Sequence, residues 1–178
     1  MATLGARMIG AMKADVPTFE EIERDPSAMG QAITVIAVAG AAALVGNIFR
    51  AGVSQGIIAM ILSLIGYAIW AVLVTVIGTK LMPEPSTKAD FAETFRTIAF
   101  AASPGVFNVL AIIPFLGPLI LFMVNIWSLV IMVIAVRTVL DYSSTGRAII
   151  VVLIGFVVNL IITFLLLAPL FVGAAFLS

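Results

Sequence analysis

The sequence has no cysteine and no histidine, and only nine basic and nine acidic residues among its 178. Without thiols there is no disulfide framework, thiolate zinc site or cysteine nucleophile. Without imidazole there is no haem-type ligation and no proton switch near neutrality. Zero net charge argues against nucleic acid, whose phosphates demand clustered lysine and arginine. A soluble domain keeps roughly a quarter of its residues charged. Here 10% are charged and 63% hydrophobic, with mean hydropathy +1.27, which excludes a water-soluble fold. These residues assign no catalytic group, cofactor or metal.

What the chain has is long uncharged runs. Residues 31–49 carry no charge and, at about 1.5 Å rise per residue, cover the roughly 30 Å hydrocarbon core. Asp25-Pro26 opens this helix and Arg50 closes it. A turn over 51–56 leads to a second span at 57–79. Pro83-Glu84-Pro85 then breaks the chain, and Thr87-Lys88-Ala89-Asp90 resembles a capping box that restarts it. Phe91, Phe95, Ile98 and Ala102 share a helix face, with Lys88, Glu93 and Arg96 turned elsewhere, so this helix is expected to start at the interface. It crosses over 97–113, kinked at Pro104-Gly105. A fourth span covers 119–136. A fifth covers 148–168 and needs tilt or a break near Pro169.

The expectation is an all-α polytopic membrane bundle of five transmembrane helices forming one domain over 1–178. Its N-terminus is cytoplasmic and its C-terminus outside, because that arrangement places eight of the nine basic residues inside and only Arg50 outside. Residues 1–30 form a cytoplasmic lead-in with no cleaved leader. Leu4, Met8 and Met12 mark an amphipathic helix lying on the membrane surface, with Arg7 and Lys13 elsewhere on its wheel.

The expected spans hold no aspartate, glutamate, lysine, arginine or histidine, which disfavours a proton or ion pathway and an intramembrane protease. Amide and hydroxyl groups remain. Asn47, Asn108, Asn125, Asn159 and Thr75 are expected to join helices by hydrogen bonds. Trp70 and Trp127, both well inside their spans, are expected to fill gaps between helices. Arg137 and Asp141, four apart, are placed to pair, with Arg147 joining from the next helix. Glu20, Glu21, Glu23 and Asp25 form an acidic run suited to a basic partner or to a solvated face.

Phe19-Glu20-Glu21-Ile22 before Asp25-Pro26, Phe95 through Pro104, Ile113-Pro114-Phe115-Leu116-Gly117, Trp127, Arg137 and Thr145-Gly146-Arg147-Ala148 follow one another much as in bacterial members of the Yip-one domain family. The resemblance, over most of the chain, is to five-span membrane proteins named for interaction with Ypt/Rab-type small GTPases. It implies fold, topology and a bacterial cytoplasmic (inner) membrane. Ala99-Phe100 stands where many relatives have glycine-tyrosine, and the aspartate-leucine-tyrosine-glycine signature of eukaryotic members is missing, so Rab binding is not implied.

The functional expectation is a non-enzymatic scaffold, with no cofactor, that recruits a partner or organises the membrane. Glu20, Glu21, Glu23, Arg96, Arg137, Asp141 and Arg147 are the candidate inner-face contacts, and Pro104, Asn108, Asn125 and Trp127 serve packing or kinking. Lipids and a protein partner or second copy are the expected neighbours. The alternatives are an accessory subunit of a larger membrane complex, and a channel or carrier for a neutral solute lined by the asparagines and the Pro104-Gly105 break.

Overall fold

The structure, a computed structural model, describes residues 2–176, with the side chains of 2–49 and 52–162. The described residues form seven helices and no strand. Two are short, α1 (Leu4–Met12) and α2 (Val16–Arg24). Five are long and apolar enough to span a membrane: α3 (Ala28–Phe49), α4 (Gly52–Leu81), α5 (Phe91–Ile112), α6 (Gly117–Val139) and α7 (Thr145–Phe176), whose apolar stretch is taken over Thr145–Ile162. The chain is a multi-pass membrane protein.

Local chemistry sets the boundaries. Thr3 Oγ1 accepts the Ala6 amide, and Asp15 Oδ2 accepts the Thr18 amide, capping α1 and α2. The turn expected over 51–56 contracts to one residue, because Gly52 alone leaves helical geometry (φ 77°, ψ 166°), a conformation an L side chain resists. The restart box expected at Thr87 lies three residues later: Asp90 Oδ1 accepts the Glu93 amide at 2.8 Å while Glu93 Oε2 accepts the Asp90 amide at 3.0 Å. Thr87 instead donates to the Leu140 carbonyl at 2.8 Å.

The helix after this box begins at Phe91 and not at residue 97, so Glu93 and Arg96 belong to the crossing helix itself. It is α-helical to Ala99 and tightens to 3₁₀ geometry from Phe100. Pro104 has no amide to give the Phe100 carbonyl, four residues back, and the change begins at that point. About two thirds of α5's apolar stretch is buried, whereas each of the other four spans buries less than a third of its own. α5 is therefore the central helix.

Buried side chains concentrate toward one end. Val35 near the start of α3, Val74 near the end of α4, Ile98 early in α5, Ile131 late in α6 and Val151 early in α7 are all buried in one cluster. In an alternating bundle these positions share the end that carries the 82–90 and 140–144 connections. Away from it the helices present side chains such as Leu62, Phe122 and Leu160 outward, as a hydrocarbon solvent permits. Close approach holds α3 on α5, since a Cβ on Gly46 would lie 1.9 Å from the Asn108 carbonyl oxygen.

The amphipathic first helix has the expected extent but not the expected place. α1 and α2 form a hairpin, turned by Ala14 at φ 57°, that packs on the bundle and contributes Ala11, Phe19 and Ile22 to the core. Trp127, near the midpoint of α6, donates its Nε1 to the Met12 carbonyl at 2.9 Å, so the hairpin tip reaches well along that helix. Docking leaves Phe19 and Ile22 fully buried, and removing that apolar area from water favours the packed hairpin.

Most polar groups in the spans do not join helices. Asn47 and Asn125 donate to carbonyls four residues back in their own helices, at 3.0 and 2.7 Å. Thr75 does both: its hydroxyl donates to Ala71 O at 2.7 Å and meets Thr94 Oγ1 of α5 at 2.9 Å. Trp127 reaches from α6 to α5. It is 40% exposed and stacks on Phe107, with centroids 5.6 Å apart. The break expected near Pro169 lies outside the residues whose side chains are described.

Candidate functional site

The polar residues converge on one end of the bundle, built from the α1–α2 hairpin and the 82–90 and 140–144 connections. Two connections distant in sequence are stitched together there. Tyr142 Oη donates to Met82 O at 2.8 Å, Ser86 Oγ to Asp141 O at 3.0 Å, and the Ser143 amide to Glu84 Oε2 at 3.0 Å. Arg147 completes the stitch with a 2.9 Å ion pair to Glu84. The Ser143 amide and the Arg147 guanidinium hold the Glu84 carboxyl below the usual glutamate range.

The hairpin is clasped by Arg7, a residue that sequence periodicity assigns to a solvated face but that is 1% exposed. Its guanidinium grips Glu21 with two bonds, Nε to Oε2 at 3.0 Å and Nη2 to Oε1 at 2.6 Å; it also donates to Gln31 Oε1 at 2.9 Å and pairs with Asp25. A buried cation needs this many partners to offset its lost hydration. The contact lowers the Glu21 carboxyl, and Asp25, which also accepts from Ser27, is lowered to about 2. No periodicity signals such a role. The only hint in the sequence is an arginine within reach of an acidic run.

Arg96 was expected at the interface and is buried, 6% exposed. Its Nη2 donates to the Glu23 carbonyl at 2.5 Å, tying α5 to the end of α2, while its Nε has no partner among the described residues. Arg137 and Asp141 do not pair. Helix α6 ends at Val139 and Asp141 takes φ 52°, so the helical four-residue spacing no longer applies. Arg137 caps the following turn instead, reaching Tyr142 O, Ser143 O and Thr145 Oγ1 at 3.3, 3.3 and 3.0 Å. Arg147 joins Glu84 and not this pair.

Glu20, Glu23, Arg137 and Asp141 nevertheless meet, with Arg24, around a groove of about 430 Å³ between α2 and the end of α6. Glu20 is paired with Arg24 at 3.2 Å. Glu23 and Asp141 have no ion pair among the described residues. Burial first, then the charges of Asp141 and Glu93, push the Glu23 carboxyl up to about 7. The groove thus brings the Glu23 and Asp141 carboxyls, neither of them in an ion pair among the described residues, beside the Arg137 guanidinium, which spends its bonds on the following turn.

Pro104 and Asn108 lie in the 3₁₀ part of α5 and Asn125 on the outside of α6, so neither asparagine belongs to this end. No curated protein matches the chain, and no solved structure does. The model of the Yip1 domain matches residues 9–176, nearly the whole chain, and the protein belongs to the Yip1 domain family.

Proposed function

We propose that the protein is a non-enzymatic integral membrane scaffold, a single domain that recruits a partner through the groove between α2 and the end of α6. The supporting observation is that Glu23 and Asp141 share this groove with neither carboxyl in an ion pair among the described residues, although Arg137 lines it too, which suits a basic side chain from a partner. Desolvating a carboxylate is costly unless a counter-charge arrives, so a guanidinium or ammonium seated there gains more than it would at an exposed acid. Distribution of basic residues supports an N-terminus and groove in the cytoplasm and a C-terminus outside, and the resemblance to bacterial family members favours residence in a bacterial cytoplasmic membrane.

A photo-crosslinker at Glu20, bordering the groove, tests this reading in native membranes. The expected result is one protein adduct that disappears in Glu23→Gln/Asp141→Asn and is not formed from the lipid-facing position Phe122. Equal labelling from Phe122, or an adduct indifferent to both carboxylates, removes the groove from the function.

A further inference from the structure

Where the helices part, beyond the shared core, a second cavity opens between α4, α6 and α7, with a volume of about 390 Å³. Its depth is unusual for its chemistry. Tyr67 and Ser128, near the midpoints of α4 and α6, line it together with Trp70 and Asn159. No hydrogen bond satisfies the Tyr67 hydroxyl, the Ser128 hydroxyl or the Asn159 amide among the described residues, and Trp70 Nε1 is buried without a partner. Within the apolar spans these groups have no fixed partner, and an unsatisfied donor in hydrocarbon costs several kcal/mol.

We propose that this cleft binds a neutral, lipid-soluble molecule with a compact carbonyl-bearing head, of the quinone type. The Tyr67 and Ser128 hydroxyls and the Asn159 amide each have a donor to give, and a carbonyl-bearing head has the acceptors to receive them. None of the lining residues is charged, so an ionic head would lose its hydration without compensation. A phospholipid acyl chain fills such a space but offers no acceptor at that depth. The cleft is also closed toward the core, where Val152 is buried and Trp70 and Met132 pack against the buried cluster. Its volume falls within the range of small-ligand sites, and exposed Phe156 and Leu129 on its rim leave it open toward lipid for entry.

The two tryptophans of the chain supply the assay. In the full chain in nanodiscs, Trp127→Phe leaves Trp70 as sole reporter, and decylubiquinone is the titrant. The expected result is saturable quenching of Trp70, with the apparent Kd raised at least tenfold by Ser128→Ala/Asn159→Ala. Gly66→Leu fills the cleft from a position where an added Cβ meets nothing within 4 Å, so it is expected to abolish saturation while leaving Tm unchanged. Decylbenzene, of similar length without carbonyls, is expected not to compete. Quenching that is linear in quinone and equal in Gly66→Leu overturns the proposal, as does effective competition by decylbenzene. A dimer converted to monomer by Gly66→Leu in the absence of quinone overturns it in favour of a second copy.

Discussion

Glu84 and Arg147, 63 residues apart, form a 2.9 Å ion pair that joins the connection before α5 to the first turn of α7. The contact requires both segments to lie at the same end of the bundle, so α5 and α6 must together make a full outward and return crossing. Because the chain has no cysteine of its own, Ser86→Cys/Asp141→Cys can be joined by a short bis-maleimide. High-yield crosslinking is expected. Reaction of the two positions with an impermeant maleimide from opposite faces would dismantle the five-span architecture.

Arg7 is expected to be the main fastening of the hairpin. Removing one partner of a buried ion pair costs about 3–5 kcal/mol, and partial exposure of Glu21 and Asp25 reduces this to about 2–3 kcal/mol for Arg7→Ala. Tryptic cleavage after Lys13 should accelerate by one to two orders of magnitude while α3–α7 remain protected. An unchanged cleavage rate would show that Phe19 and Ile22 hold the hairpin unaided.

Docking of the hairpin is also expected to depend on pH through Glu23. Its folded pKa, about 7, lies above the ordinary 4.5, so the folded state favours the protonated acid. That contribution is fully present below pH 4.5 and is lost as pH rises through about 7. The charges facing it are Asp141 and Glu20, with Arg24 opposing, on the groove side, and Glu93 on α5, where Arg96 binds the Glu23 carbonyl. In a Trp70→Phe background, Trp127 emission reports the Met12 contact and should shift between pH 5 and 8. Glu23→Gln should flatten the profile, and an identical profile in that variant refutes the assignment.

Gly46→Ala is expected to force α3 and α5 apart, because the new methyl meets the Asn108 carbonyl, backbone that a rotamer change cannot move aside. Overpacking of this kind costs about 1–3 kcal/mol. Gly30→Ala, where an added Cβ has no neighbour within 4 Å, is the control. Equal Tm values for the two variants would contradict the observed α3–α5 packing.

The number of spans and their approximate positions were legible in the sequence because transfer into hydrocarbon is additive along the chain: an uncharged run long enough to cross is recognised without its neighbours. The placement of charged side chains was not. Arg96 follows a polar connection and reads as interfacial, yet the capping box at Asp90 starts the helix early and turns it into the core. Arg137 and Asp141 read as a helical pair, yet the helix stops between them.

By itself, the sequence determined that this protein lives in a membrane, that it crosses in helices, and roughly where those crossings lie. Only the tertiary structure decided that Arg7 is a buried clasp, that Glu23 and Asp141 share a groove, and that Tyr67, Trp70, Ser128 and Asn159 line one cleft. The first set follows from single-residue transfer free energies. The second depends on contacts between residues far apart in the chain, whose register is set by helix packing and by where each helix ends.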